Sequence, residues 1–150
     1  KDFNENITMN LSTTFLINKL CIKKFKNTKK PISLLNFSSI YGVIPPKFEI
    51  YKNTSITSPI EYAVIKSATI HLTKYVANYV NNSDFRCNSI SPGGIEDNHS
   101  KLFMKQYKRH THGSGMLKPD SLSNLVIFLL SNKSKYINGQ NIIIDDGFTL

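Results

Sequence analysis

The chain has 150 residues, 40% of them hydrophobic, and a formal net charge of +9. This length and apolar content suffice for one domain spanning residues 1–150 and exclude a disordered polypeptide. No apolar run approaches the ~20 residues that a membrane span requires, and Lys1-Asp2-Phe3-Asn4-Glu5 is not a secretory signal, so a cytoplasmic protein away from membranes is expected.

The chain opens directly into helical pattern without an initiator methionine, which leads us to expect that an N-terminal part precedes it. From Phe3 to Lys26, apolar residues recur at Ile7, Leu11, Phe15, Ile22 and Phe25, predicting one long helix. Lys23, Lys24 and Lys26 gather at its end, where cations complement the helix dipole. Asn27 to Pro31 is polar and closes it, and Ile32 to Phe37 reads as a buried strand. Ser38-Ser39 ends that strand, and Gly42 marks a turn. Val43 to Pro59 is a long loop holding Pro45, Pro46 and Pro59; loops of this length are usually functional or mobile.

The next helix starts around Glu61-Tyr62 and runs to about Asn81, with Ile65, Ala68, Leu72 and Val76 at helical spacing. Asp84 to Ile90 is a second strand, broken by Ser91-Pro92-Gly93-Gly94. Ile95 to Leu117 reads as polar and irregular, with a short helix at Lys101 to Arg109 and hinge-like Gly113 and Gly115. Pro119 and Asp120 open a helix whose apolar face is Leu122, Leu125, Val126, Leu129 and Leu130. A last strand, Asn141 to Ile144, ends at Asp145-Asp146-Gly147. Helix and strand alternate, which predicts an α/β fold with a parallel sheet.

Cys21 and Cys87 fit no metal or redox spacing and read as free thiols in a reducing cytoplasm. His71, His99, His110 and His112 are not at ligand spacing, so no metal is expected. The lysines are spread along the chain, and aromatics are not interleaved with them as stacking platforms would require. The positive charge therefore reads as solvated surface. The reading this opposes is a non-catalytic basic α/β protein that binds nucleic acid or a protein partner.

Tyr62 and Lys66 lie four apart, so they share one helix face. A free tyrosine ionises near pH ~10, too high for a base at neutrality, and an ammonium held close favours the phenolate form. In an open parallel sheet, ligands bind beyond the carboxyl ends of the strands. Ser38-Ser39, Pro92-Gly93-Gly94-Ile95 and Asp145-Asp146-Gly147 all fall at that edge, and the Tyr62 helix begins near it.

These residues resemble the short-chain dehydrogenase/reductase family. Tyr62-Ala63-Val64-Ile65-Lys66 matches its Y-x-x-x-K, and Asn36-Phe37-Ser38-Ser39 matches its N-[IV]-S-S strand end. Met9-Asn10-Leu11 carries the asparagine of its preceding helix, and Arg86 to Gly93 matches R-V-N-x-I-x-P-G. Gly139-Gln140 with Asp145-Asp146-Gly147 matches its G-Q…D-G-G close. The match corresponds to the C-terminal three-fifths of a typical member and implies a Rossmann-like sheet without the Gly-rich N-terminal βαβ half.

The resemblance implies NAD or NADP as cofactor, with NAD preferred. It makes Tyr62 the acid/base, with Lys66 lowering its pKa and holding the nicotinamide ribose, Ser39 on the substrate oxygen, and Asn10 holding a water behind Lys66. Pro92, Gly93 and Ile95 would bracket the nicotinamide. Asp97 stands where many members have a threonine near the pyrophosphate, and the gap from Ser39 to Tyr62 is longer than in most members. The insertion, the Ser-Ser-Ile-Tyr-Gly before it and the Ser134–Phe148 stretch resemble members from bacterial flagellin-modification and surface-sugar pathways. That implies a sugar phosphate or nucleotide sugar as substrate, with Lys47 and Lys52 as candidate phosphate contacts. The family also implies a homodimer or homotetramer through helices 3–26 and 62–81.

Overall fold

The computed structural model describes residues 3–150; the start at Lys1-Asp2 lies outside the described residues. Its centre is a three-stranded parallel sheet in the order β1 (Ile32–Phe37), β2 (Phe85–Pro92), β3 (Asn141–Ile144). The register aligns Leu34 with Cys87 and Phe37 with Ile90, and Ser89 with Asn141. β2 is buried along its whole length, with Arg86, Asn88, Ser89 and Ser91 enclosed as well as Phe85, Cys87 and Ile90.

Helices cover both faces. Side chains alternate along each strand, so Leu34, Phe85 and Cys87 meet Phe25 and Val76 on one face, while Leu35, Ile90 and Ile142 meet Leu122 and Leu129 on the other. Phe25 and Val76 come from α2 (Thr13–Thr28) and α3 (Ile60–Val80). Leu129 comes from α5 (Ser123–Leu130). Leu130, expected on the apolar face of α5, is 46% exposed instead. Lys29 and Asn81 end α2 and α3 in the left-handed conformation, each N–H closing the last turn.

The first helix is not uniform. α1 (Phe3–Asn6) passes into a π-helical stretch, Ile7–Ser12, before α2 begins. Apolar spacing alone does not reveal one extra residue in a turn, and π insertions of this kind concentrate at functional sites. β2 extends two residues past the expected Ile90, through Ser91 and Pro92, because β3 lies beside them.

The segment expected to be loose is anchored. α4 (Lys101–Lys108) buries Phe103 and Tyr107 against Ile40, Ile50 and Phe148. After it, Asp146 Oδ2 accepts from Ser114 N at 2.7 Å and Gly115 N at 3.0 Å, and His112 N donates to Asp146 O at 2.8 Å. The long loop is also held: Phe48–Tyr51 forms a 3₁₀ turn, and Gln106 Nε2 donates to Ile50 O at 2.6 Å.

Two buried polar groups brace the frame. Among the described residues the Arg86 guanidinium has no carboxylate partner; Nη1 donates to Leu129 O (3.0 Å) and Ser134 O (3.1 Å), and Nη2 to Ser131 O (2.9 Å). It closes the C-terminal end of α5, where carbonyls lack helical partners. Asn36 Nδ2 donates to Thr73 Oγ1 (2.9 Å), and Asn18 Nδ2 to Asn36 Oδ1 (3.0 Å), joining α2, β1 and α3 inside the core.

Candidate active site

β1 delivers Ser38 and Ser39 to the carboxyl edge of the sheet. Ser39 is extended (φ −159°) and its Oγ accepts from Tyr41 N at 3.2 Å, capping the 3₁₀ turn Ile40–Gly42. Ser38 Oγ donates to Lys66 O at 2.7 Å, and a Cβ on Gly42 would stand 2.6 Å from the Lys66 carbonyl carbon. Only a glycine lets this turn lie directly on the α3 backbone.

α3 begins after Pro59, which puts Tyr62 in its first turn, 40% exposed, and Lys66 one turn later. Lys66 Nζ donates to Phe37 O at 3.1 Å and sits over the Tyr62 ring, 5.6 Å from its centroid. Burial pulls the Lys66 pKa below the usual lysine range. An ammonium has three donors, and among the described residues the carbonyl of Phe37 takes one.

Tyr62, Ser39, Pro92, Gly93 and Ile95 line one cavity of about 550 Å³. Gly93 N donates to Ile144 O at 2.8 Å and Gly94 N to Tyr107 Oη at 2.7 Å, fixing the turn after β2. A Cβ on Gly93 would stand 2.7 Å from Tyr107 Oη, so the turn and α4 pack with no side chain between them. Burial pushes the Tyr107 phenol up to about 12, keeping it protonated.

Asn10, expected behind Lys66, does not line the cavity. It lies exposed in the π-helical stretch, which packs against α3, and its Nδ2 donates back to Asn6 O at 3.0 Å. Its carbonyl oxygen accepts from Thr14 Oγ1 at 2.7 Å. The candidate phosphate contacts also fall elsewhere. Lys47 Nζ donates to Phe148 O at 2.7 Å and lies over the Phe148 ring, and neither Lys47 nor Lys52 lines the cavity.

The sequence reading missed much of the wall: Tyr41, Tyr51, Ser58, His99, Phe103 and Tyr107. Tyr51 Oη donates to Tyr41 Oη at 2.9 Å, and Tyr51 stacks on Phe103 with centroids 5.5 Å apart. Aromatics clustered in otherwise polar loops were the available signal. Among the described residues, no Lys, Arg, Asp or Glu lines this cavity, and no three His, Cys, Asp or Glu side chains converge as metal ligands.

The family model described as enoyl-(acyl carrier protein) reductase matches residues 1–149. The chain belongs to the short-chain dehydrogenase/reductase family. Post-translational flagellin modification protein A of Campylobacter coli is 36% identical over 97% of this chain and 57% of that protein. A 7alpha-hydroxysteroid dehydrogenase of Bacteroides fragilis is 27% identical over 99% of this chain and 55% of its own length. A short chain dehydrogenase from Leptospira borgpetersenii, crystallised with bound NAD+, superimposes with a TM-score of 0.92 at 42% identity. That superposition covers 99% of this chain and 56% of the other. The chain thus spans a little over half the length of the relatives it matches. No helix of the described residues is long and apolar enough to cross a membrane.

Proposed function

We propose that this chain forms the substrate-side and nicotinamide-facing part of an NAD(P)-dependent oxidoreductase that interconverts a hydroxyl and a carbonyl. The observation that carries this reading is the placement of Tyr62 one turn from Lys66, with the Lys66 ammonium over the Tyr62 ring and Ser39 in the same cavity wall. Tyr62 exchanges a proton with the substrate oxygen, and Ser39 Oγ orients that oxygen. Lys66 offers its two remaining N–H donors to ribose hydroxyls. Pro92, Gly93 and Ile95 bound the side of the cavity where a planar ring would lie. A nicotinamide there would supply the hydride chemistry.

The NAD+-bound Leptospira structure and a 4-hydroxyisoleucine dehydrogenase complexed with NADH (TM-score 0.85, 25% identity) support NAD as the cofactor. The flagellin-modification relative supports the subgroup resemblance, and with it a sugar phosphate or nucleotide sugar as the substrate. Free Cys21 and Cys87 fit work in the cytoplasm as one domain. Apolar side chains exposed on α2 and α3 support pairing with the same helices of a second copy: Leu16 and Leu20 are 53% and 64% exposed, Tyr75 and Tyr79 61% and 54%.

The test is hydride transfer by the full-length gene product, followed by nicotinamide absorbance. Tyr62→Phe, which keeps the ring and removes the hydroxyl, is expected to lose at least ~10²-fold in kcat. Turnover near that of the unaltered protein would overturn the reading.

A further inference from the structure

The inserted loop adds Tyr51 and Ser58 to the cavity wall, beside Tyr41. Tyr51 and Tyr41 join hydroxyl to hydroxyl at 2.9 Å, so one of the two O–H groups donates within the pair and the other keeps its proton for another acceptor. Burial raises both phenols above the ordinary tyrosine range, so both remain neutral donors. Ser58 lines the same cavity, and its Oγ is buried with no hydrogen-bond partner among the described residues. It lies near enough to the Tyr51 hydroxyl to favour its ionised form, yet makes no hydrogen bond of standard geometry with it.

A buried hydroxyl left unpaired costs about 1–3 kcal/mol, and groups of this kind call for an explanation. Serine reaches its staggered χ1 positions by one rotation, so an arriving polar group can recruit it. The wall around it supplies flat faces rather than charge. Tyr51 stacks on Phe103, and His99 stacks on the same ring with centroids 5.2 Å apart. A carboxylate or phosphate placed inside would leave water without a cationic partner from the lining.

We infer that Tyr41, Tyr51 and Ser58 form a recognition site for a second hydroxyl on an uncharged ring, so that the moiety oxidised or reduced at Tyr62 is a neutral polyhydroxylated one, with any phosphate kept outside the cavity. This rests on the oxidoreductase reading and adds a specificity element from the insertion, outside the family motifs. Tyr51 and Ser58 act as specificity residues through the substrate hydroxyl they bind.

The probes are cyclohexanol, the three cyclohexanediol regioisomers, and a hydroxycyclohexanecarboxylate, each offered with NAD+ or NADP+ to the full-length protein. The best diol should exceed cyclohexanol in kcat/KM by about tenfold, the worth of one good hydrogen bond, and the carboxylate should be the poorest substrate. Tyr51→Phe, which keeps the stack, and Ser58→Ala should each bring the diol-to-cyclohexanol ratio towards unity. A ratio unchanged in both variants, or a carboxylate turned over as well as the best diol, overturns the inference. If no probe is turned over, the oxidoreductase reading fails by itself. Saturation-transfer NMR with the same probes, on the unaltered protein and both variants, then decides the cavity's preference without chemistry: diol binding that Tyr51→Phe and Ser58→Ala weaken supports the site, and equal binding of all probes overturns it.

Discussion

Ser38 Oγ donates to the carbonyl oxygen of Lys66 at 2.7 Å. That bond ties the end of β1 to the turn of α3 that carries the ammonium, so Ser39 and Tyr62 are held in one wall by their neighbours. The same contact leaves no room beside it: a Cβ at Gly42 would also stand 2.7 Å from Ser38 Oγ.

Gly42→Ala should therefore push the Ile40–Gly42 turn off α3. Overpacking of this kind costs about 1–3 kcal/mol. Thermal unfolding of the full-length protein should show the loss, and turnover should fall with it because Ser39 moves. A variant with unchanged melting and unchanged turnover would mean that the turn relaxes freely.

Lys66→Ala removes the group that bridges the strand end and the Tyr62 ring. It is expected to raise the KM for cofactor as well as to lower kcat, whereas Tyr62→Phe lowers kcat with cofactor affinity little changed. Titration of nucleotide into both variants separates the two roles. Equal nucleotide affinity in the Lys66→Ala and unaltered proteins would remove the ribose role.

How much of this was legible in the sequence varies with the range of the interactions involved. β1 is legible with its observed ends because Ile32, Leu34, Leu35 and Phe37 stand close together between polar breaks. The helix carrying Tyr62 and Lys66 was legible because period and motif coincide. The π-helical stretch at Asn10 was not, since one inserted residue leaves the apolar spacing nearly unchanged. Nor was the Tyr51–Tyr41 pair or the carbonyl cage of Arg86, where the partners are brought together only by the folded loops. Lys47, a candidate phosphate contact on the resemblance, is instead turned by the fold to Phe148 O.

Asp146 anchors the segment after α4 through its carboxylate, and the Gly115 amide foremost, with that of Ser114, holds its pKa below the usual aspartate range. A carboxyl whose folded pKa is depressed contributes stability above its unfolded value, about 3.9, and loses it as pH falls through the lower folded value. The anchor should thus persist across neutral and mildly acidic pH and release only below about pH 4. The amide proton shifts of Ser114 and Gly115 in NMR should titrate below the free aspartate value, and Asp146→Ala should abolish the titration. A midpoint at the free value would show that the carboxylate is not engaged.

Arg86 is 6% exposed and donates to the carbonyls of Leu129, Ser131 and Ser134 and to Ser134 Oγ. Arg86→Met should strand those acceptors and cost at least about 2 kcal/mol. Arg86→Lys should recover only part, because an ammonium cannot reproduce the planar fork. Chemical denaturation compares the three proteins, and a Met variant as stable as the original would refute the bracing role.

Leu20→Glu on α2 and Tyr75→Glu on α3 place a charge in the exposed apolar faces, where Tyr75 and Tyr79 stack with ring planes 8° apart. Both should lower the sedimentation coefficient of the full-length protein and its activity together. An active monomer would rule out assembly through these helices.

Every strand pairing in this sheet joins residues separated by an entire crossover; Ser89 and Asn141, for instance, are 52 positions apart. Among the described residues no hairpin seeds the parallel sheet, so loop-closure entropy must be met before any strand contact returns it. Helix formation completes in about a microsecond, and the strands therefore join afterwards, in the millisecond-to-second range of non-local topologies. During that interval β2, the strand that the fold buries along its whole length, is exposed to whatever else the cell contains. The rate at which new chains become usable is set there, by the wait for β2 to be enclosed.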